Sequence, residues 1–140
     1  LSGEEAATLT AHRHADYFGA MGHRSKLATL DKHGGSLMWK TLLRNLDNLV
    51  AGTRWGTARA AAGCCMAALK VLEMKGPMSL GADLAGEVLK NDGLSTTMRT
   101  RLMVQQGVCL RISGRMAEAR DICTDALFRQ SGSNKPTNET

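Results

Sequence analysis

Apolar residues recur every three or four positions along most of this chain, a spacing that is typical of amphipathic helices and not of strands. The clearest example begins at Ser36, after which apolar side chains follow at spacings of four, four and three: Met38, Leu42, Leu46 and Leu49. Glycines fall where the pattern stops, and glycine commonly ends a helix. The pattern predicts an all-α fold of about six to seven helices.

The two most N-terminal helices carry few large apolar residues. Ser2 and Glu5 have the spacing of a capping box, in which each side chain accepts a hydrogen bond from the backbone of the other, and this helix is predicted to end at Gly22. A shorter helix is predicted over residues 25–33, ending at Gly34-Gly35. The side chains predicted to face inward in these two helices are Leu9, Tyr17, Ala20 and Met21, followed by Leu27 and Leu30.

Two longer helices are predicted in the middle of the chain. One covers residues 36–50 and ends at Gly52, and the next is capped by Thr53 and covers residues 54–75. The small residues at 60–63 would allow a neighbouring helix to approach this second helix closely. The side chains predicted to face inward on it are Trp55, Ala58, Ala62, Cys65, Leu69 and Leu72.

Three further helices are predicted over residues 78–90, 96–112 and 116–129, with glycine-containing turns between them. Residues 131–140 are polar and turn-rich, so a loose C-terminal tail is expected after a single helical domain over residues 1–130. The large residues predicted to face inward in the last two helices are Met98, Leu102, Met103, Cys109, Leu110, Ile112, Ile122, Cys123 and Leu127.

Basic residues outnumber acidic ones by 18 to 13, which gives a net charge of +5. The chain has no run of five basic residues of the kind that forms a disordered nucleic-acid-binding arm. Arginines are instead concentrated in the last two predicted helices, where they either solubilise the surface or meet an acidic protein surface or phosphate. The arginines predicted to bind a partner are Arg99, Arg101, Arg111, Arg115, Arg120 and Arg129.

No combination of residues has the spacing of a catalytic, cofactor-binding or metal-binding motif. His12 and His14 would point in nearly opposite directions from a helix, so they cannot share a metal ion. The chain has no Cys-x-x-Cys pair, no phosphate-binding glycine loop and no nucleophile elbow. We therefore expect a protein that is not an enzyme and that uses no metal and no cofactor.

The four cysteines each lie among apolar or small residues: Cys64, Cys65, Cys109 and Cys123. Buried free thiols in a reducing compartment are the expected state of such residues. A bridge between Cys109 and Cys123, on neighbouring helices, is an alternative that the sequence leaves open.

A shift of the sequence by 38 residues superimposes two segments. Gly76-Pro77-Met78 falls on Gly114-Arg115-Met116, and Asp83-Leu84 falls on Asp121-Ile122. Each segment consists of a helix, a glycine turn and a second helix. The repeat indicates that one helical hairpin is used at least twice.

The second segment, over residues 98–129, resembles the tetratricopeptide (TPR) repeat in the type and spacing of its small residues. Small residues are required where two helices cross closely. The segment over residues 60–90 resembles a degenerate copy, and residues 113–119 are also similar to the pentatricopeptide (PPR) repeat. The residues to which the resemblance gives a structural role in the repeat are Gly76, Gly107, Gly114, Ala119 and Ala126.

The TPR resemblance implies a short solenoid of stacked antiparallel hairpins that acts as a structural accessory subunit. Such a subunit would dock onto an acidic or apolar surface of a larger complex, of the mitochondrial ATP synthase or mitochondrial ribosome type. The PPR resemblance implies an alternative, an organellar RNA-binding protein, although so few hairpins would read only about two or three bases. We expect the protein partner, because the last two helices carry only one aromatic residue for stacking on bases.

The composition also bears on location. A basic, alanine-rich chain that begins at Leu1 without an initiator methionine is expected of a mature mitochondrial matrix protein, with the cytoplasm as the alternative. The apolar runs are far shorter than the roughly 20 residues of a membrane span, so we expect none.

Overall fold

A computed structural model describes residues 2–31 and 35–133, and every regular element in that part of the chain is helical. Seven α-helices have ten residues or more, which confirms the predicted all-α fold, while α2 and 3₁₀ turns at Ala20–Gly22 and Ala28–Asp31 are shorter. The α-helices are α1 (Gly3–Gly19), α2 (Arg24–Leu27), α3 (Gly35–Arg44), α4 (Leu46–Trp55), α5 (Ala58–Lys75), α6 (Met78–Leu89), α7 (Thr96–Ile112) and α8 (Met116–Ser133).

α5 is the central helix of the fold. Its residues from Ala60 to Leu69 are all buried, and α1, α4 and α6 pack around it. A helix that is apolar on every side has to be covered on every side, which explains why this alanine- and cysteine-rich segment lies in the middle. The largest fully buried leucines are Leu42, Leu49, Leu69, Leu72, Leu102 and Leu110.

The second half of the chain forms a row in which each helix packs on the one before it. α5 contacts α6, α6 contacts α7, and α7 contacts α8. Short turns at Gly76-Pro77 and Ser113-Gly114 join the helices of each pair, so these helices run antiparallel. α8 ends the row and, among the described elements, packs chiefly on α7.

The backbones of α1 and α5 touch where the chain has glycine. A Cβ atom on Gly63 would overlap the carbonyl oxygen of Gly19, and a Cβ atom on Gly22 would overlap the backbone of Gly63. Any side chain larger than a hydrogen atom is therefore excluded on both sides of this contact. The small residues at 60–63 do allow a neighbouring helix to approach closely, as their pattern predicts.

The predicted helix over residues 36–50 is two helices in the structure. α3 ends at Arg44, Asn45 has a φ of −104° and a ψ of 15°, and α4 begins at Leu46. Asn45 donates a hydrogen bond from Nδ2 to the carbonyl oxygen of Thr41 over 2.8 Å. Asparagine competes with helical hydrogen bonding in this way. The prediction of one continuous helix is therefore wrong.

The end of α4 also differs from the prediction. Gly52 lies inside α4, buried against α5, and the helix continues to Trp55. Thr57 caps α5 instead of Thr53, and its hydroxyl oxygen accepts from the amide of Ala60 over 3.4 Å. Gly52 allows α5 to approach α4 closely and does not end a helix. This role cannot be recognised without the position of α5.

Several large residues that were predicted to face inward are exposed. In α1 only Ala15 is buried, because the first two turns of this helix have no covering neighbour among the described elements. Trp55 is the last residue of α4 and extends into solvent. No described helix covers the outer sides of α7 and α8. The prediction of an inward-facing side chain is wrong for Leu9, Tyr17, Trp55, Ile112, Cys123 and Leu127, which are exposed.

The C-terminal helix is longer than predicted. α8 continues to Ser133, beyond the expected end at Arg129. The rest of the expected tail, residues 134–140, lies outside the described residues, as does the predicted helix end at Gly34.

We expect Gly114→Val to lower the free energy of unfolding by more than about 1 kcal/mol. Gly114 has a φ of 82° at the end of α7, where the amide of Arg115 donates to the carbonyl oxygen of Leu110 over 2.8 Å, as in a Schellman cap. A β-branched residue fits this left-handed conformation poorly, whereas asparagine tolerates it, so Gly114→Asn should lose less stability. Urea denaturation followed by circular dichroism measures both variants. Equal midpoints for Gly114→Val and the parent would show that no such turn exists.

Candidate functional site

The outer side of α7 carries an apolar stripe. Val104 is 44% exposed, Val108 is half-buried and Ile112 is 58% exposed. These residues are four positions apart, so they lie along one side of the helix over about 12 Å. Because α7 contains no aspartate or glutamate, it offers this apolar side without negative charge of its own.

α8 carries a second exposed stripe beside the first. Met116 is 58% exposed, Leu127 is 65% exposed and Cys123 is also exposed. Spacings of seven and four residues place them on one side of α8. A Cβ atom on Gly107 of α7 would lie 2.6 Å from the Cys123 Sγ, so the stripe borders the seam between the two helices.

The two stripes lie on the same side of the hairpin. Gln130, three residues after Leu127, lines the same groove as Val104, and residues three apart share one side of a helix. We call this combined surface the α7–α8 face, and it consists of Val104, Val108, Ile112, Met116, Cys123 and Leu127.

A different side of α8 packs on α7. Ala119 and Ala126 are buried, and the backbone of Ala119 lies next to Gly107 of α7. Gly76 and Gly114 hold the turns that end α5 and α7, with φ values of 67° and 82°. The five small residues singled out by the TPR resemblance therefore lie at turns and at the crossing of α7 and α8.

Two of the predicted partner-binding arginines are held by groups close to them within the protein. Arg99 donates hydrogen bonds to the carbonyl oxygens of Leu89 over 2.8 Å and Asn91 over 2.6 Å, and thereby ties the start of α7 to the end of α6. Arg129 forms an ion pair with Asp125 one turn earlier, with 3.5 Å between Nε and Oδ1. Both guanidinium groups already have partners in the folded chain.

Arg115 links the turn before α8 to the neighbouring hairpin. Its Nε and Nη2 donate to the Glu118 carboxylate over 3.0 and 2.8 Å, and its Nη1 donates to Asp83 of α6 over 3.3 Å. Hydrogen bonds to Glu118 and then to Asp83 raise the pKa of Arg115, and the hydrogen bond from Arg115 lowers the pKa of Glu118. This arginine therefore has a structural contact across two hairpins.

The remaining three arginines, Arg101, Arg111 and Arg120, have no ion pair within the described part of the chain. Arg101 precedes Val104 by three residues, Arg111 follows it by seven, and Arg120 follows Met116 by four. Each of these spacings places the arginine on the α7–α8 face. The acidic residues of α8 lie on the opposite side of that helix: Glu118, Asp121 and Asp125. The structure therefore brings together apolar side chains and unpaired positive charge.

Apolar periodicity does not predict this face, because it assigns Ile112, Cys123 and Leu127 to the interior. A usable signal was present in α8, which has apolar residues on two adjacent sides, one with Ala119 and Ala126 and one with Cys123 and Leu127. A helix at the end of a row has a neighbour for only one of these sides, so the other stays exposed.

Three of the four thiols are buried as predicted, and the fourth is not. All four cysteines are free, so no bridge joins Cys109 to Cys123. Burial raises the pKa of Cys64 and of Cys65 to about 12 and that of Cys109 to about 11. Cys123 is exposed on the α7–α8 face, so the prediction that every cysteine is buried is wrong for this residue.

We expect the folded protein at about pH 8 to react rapidly with one equivalent of a thiol reagent and slowly with the other three, because the buried thiols are shielded and stay protonated. The change in absorbance of a chromogenic disulfide reagent follows this reaction. Cys123→Ser should abolish the rapid phase, and denaturant should expose the remaining three thiols. Rapid labelling of folded Cys123→Ser would contradict the burial of α5 and α7.

The α7–α8 face is the feature of the described structure that points to a function. Within residues 2–31 and 35–133, no three His, Cys, Asp or Glu side chains form a group that could hold a metal ion. No helix in these ranges is long and apolar enough to cross a membrane. No protein-family model, no curated protein and no solved structure matches this chain.

Proposed function

We propose that this chain is a structural accessory subunit that docks onto a partner protein through the α7–α8 face, within a larger mitochondrial assembly. One observation carries the proposal: Arg101, Arg111 and Arg120, which have no ion pair in the described structure, lie among exposed aliphatic side chains. Clustered exposed apolar side chains mark interaction surfaces, and arginine is enriched in protein interfaces. A partner surface with an apolar centre and an acidic rim would match both components.

We also propose that the hairpins α5–α6 and α7–α8 stack in the manner of a TPR-like solenoid. Support comes from Gly76 and Gly114, which are 38 residues apart, each follow the first helix of a hairpin and each have a positive φ. In a solenoid every repeat covers the previous one, and the last repeat needs a cap or a partner. The second apolar side of α8 is exposed in the described structure, as expected for the side of a repeat that no further helix covers.

The chemistry of the face favours a protein over RNA. Surfaces that read RNA place aromatic or amide side chains among their basic residues, to stack on bases and recognise them. The α7–α8 face contains no aromatic residue. Gln106 of α7 donates from Nε2 to the carbonyl oxygen of Ala82 over 3.2 Å and is thus engaged inside the protein. Gln105 and Gln130 line the groove beside Arg101 and Val104, but no aromatic side chain is among the described residues that line it, so the groove lacks a group on which bases would stack.

The proposal is tested by co-elution of the tagged chain with its native assembly from isolated mitochondria, after RNase treatment. The parent should elute with a complex much larger than itself. A variant with Arg101→Glu, Arg111→Glu and Arg120→Glu should lose association by at least about tenfold, because negative charge would then face the acidic rim of the partner. Circular dichroism verifies that the variant is folded.

A matched control carries the same change of charge elsewhere on the surface. Arg13→Glu, Lys40→Glu and Lys75→Glu reverse three exposed cations on α1, α3 and α5, and this variant should co-elute like the parent. Undiminished co-elution of the α7–α8 variant would show that the face is not the docking surface. Loss of the complex on RNase treatment, with sequence-selective RNA binding by the isolated chain, would establish the RNA-binding alternative instead.

A further inference from the structure

A groove between α5 and α7 adjoins the α7–α8 face. Its volume is 470 Å³, and its lining includes the apolar side chains of Leu27, Met66 and Val104. Arg101 and Lys70 supply its charge, although Lys70 also forms an ion pair with Glu73 over 3.6 Å. Thr100, Gln105 and Gln130 add neutral polar groups, and no carboxylate is among the described residues that line the groove. The groove therefore continues the chemistry of the face, apolar with positive charge, from α7 towards α5.

We propose that the partner element that docks on the α7–α8 face is an amphipathic helix with acidic residues along the edges of its apolar side, and that one of its large apolar side chains enters the groove at Val104. This inference rests on the proposed function and specifies the partner for that surface.

The arrangement of the fold points to a helix as the occupant. In the row from α5 to α8, the helix sides that face a neighbouring helix are apolar and are covered by that helix. α8 has such a side left over, and helices pack on one another through ridges and grooves of matching spacing. Its stripe from Met116 to Leu127 covers twelve residues and a length of about 16 Å, which accommodates about three turns of a docked helix.

The charges on the face specify an acidic helix. Arg101 and Arg111 are ten residues apart on α7, which is about 15 Å. Carboxylates eleven residues apart on a helix share one side at a separation of about 16 Å, so one helix can meet both arginines. A second copy of this chain that offered the same face would place arginine against arginine, and like charges in an interface repel.

The volume of the groove agrees with an anchoring side chain. An apolar cavity of about 150 Å³ holds one benzene-sized group, so a groove of 470 Å³ has room for a leucine or an aromatic ring together with part of its helix. Anchors of this kind carry much of the affinity of protein interfaces.

The test uses synthetic labelled peptides of about 18 residues and the isolated full chain, with fluorescence anisotropy at about 150 mM salt. One peptide has leucines along one helical side and glutamates at its edges. The second replaces each glutamate by lysine, and the third keeps the acidic composition but disperses the leucines around the helix. We expect the first peptide to bind at least about tenfold more tightly than either of the others.

Variants of the chain locate the binding surface. Two variants should each bind the acidic peptide at least about tenfold more weakly than the parent: the combination of Arg101→Glu, Arg111→Glu and Arg120→Glu, and the single change Leu127→Asp. Met74→Asp is the matched control, because Met74 of α5 is 64% exposed, Leu127 is 65% exposed, and Met74 does not belong to the face. The Met74→Asp variant should bind the acidic peptide with the same affinity as the parent.

Each remaining outcome counts against the inference. Equal binding of the lysine peptide would overturn the acidic partner, and equal binding of the peptide with dispersed leucines would overturn the amphipathic helix. Displacement of the acidic peptide by lower concentrations of mixed single-stranded RNA would overturn a protein occupant. If the acidic peptide does not bind, but the triple arginine variant still loses association with the native complex, the inference of a helical partner is wrong and the proposed function stands. If the triple arginine variant also associates with the native complex like the parent, both the inference and the proposed function are wrong.

Discussion

The substitution Gly63→Ala is expected to lower the free energy of unfolding by about 3 kcal/mol. The sign of this change is the informative part, because alanine in place of glycine inside a helix normally stabilises by roughly 0.5–1 kcal/mol. Gly63 lies within α5, well away from either end of that helix. The loss must therefore come from packing against another helix and not from helix propensity.

The opposing group is the backbone of α1. A Cβ atom on Gly63 would overlap the carbonyl oxygen of Gly19, and backbone atoms cannot turn aside as the end of a flexible side chain can. This overlap can be removed only if α1 moves away from α5. That movement would break the buried contact in which the Cys64 thiol donates to the carbonyl oxygen of Ala15 over 3.5 Å.

Gly3→Ala is the matched control for this prediction. A Cβ atom on Gly3 would have nothing within 4 Å, so the variant should be as stable as the parent or slightly more stable. Urea denaturation monitored by circular dichroism compares the three proteins. If Gly63→Ala proved as stable as the parent, α1 and α5 would not be in backbone contact, and the arrangement around α5 would have to be revised.

A second large loss is expected from Leu102→Ala, which should destabilise the protein by about 3 kcal/mol. Leu102 of α7 is fully buried in the cluster that unites α5, α6 and α7, so its truncation removes apolar contacts and leaves a cavity. Leu127→Ala removes the same atoms from α8, where the side chain is 65% exposed, and should change stability by less than about 0.5 kcal/mol.

The comparison of these two leucines separates folding from docking. Leu127→Ala should leave the urea midpoint unchanged and still weaken association with the native complex, because Leu127 belongs to the α7–α8 face. Leu102→Ala should shift the midpoint strongly. Similar losses of stability from both substitutions would mean that α8 is covered by another part of the chain and that the face is not available to a partner.

Local features of the fold could be predicted from the sequence with good accuracy. Ser2 and Glu5 form the expected capping box, in which the hydroxyl oxygen of Ser2 accepts from the Glu5 amide and the Glu5 carboxylate accepts from the Ser2 amide, each over 3.2 Å. The turns at Gly76 and Gly114 lie where the 38-residue repeat places them. These features depend on hydrogen bonds between residues a few positions apart, so the information is present in short segments.

The face on α7 and α8 could not be predicted in the same way. Periodicity identifies the apolar residues that share a helix side, but it does not say which side a neighbour covers. Leu102 and Leu127 fit the same pattern and end in opposite environments, because α5 and α6 cover the side of α7 that carries Leu102, whereas no described helix covers the side of α8 that carries Leu127. The buried role of Gly52 was missed for the same reason, whereas the break at Asn45 has a local cause, the hydrogen bond from its Nδ2 to the carbonyl oxygen of Thr41, which apolar periodicity does not reveal.

The sequence by itself determined that the chain is helical, where most of its helices begin and end, and that glycine forms the turns after α5 and α7. Only the tertiary structure decided that α5 lies at the centre, that Arg99 and Arg115 are tied to the end of α6 and to Asp83 of α6, and that Arg101, Arg111 and Arg120 share a side with exposed aliphatic residues. The physical reason is the distance along the sequence over which each interaction acts. Helix formation is governed by neighbours within about four residues. Burial and ion pairing between helices depend on which distant segments come to lie against each helix.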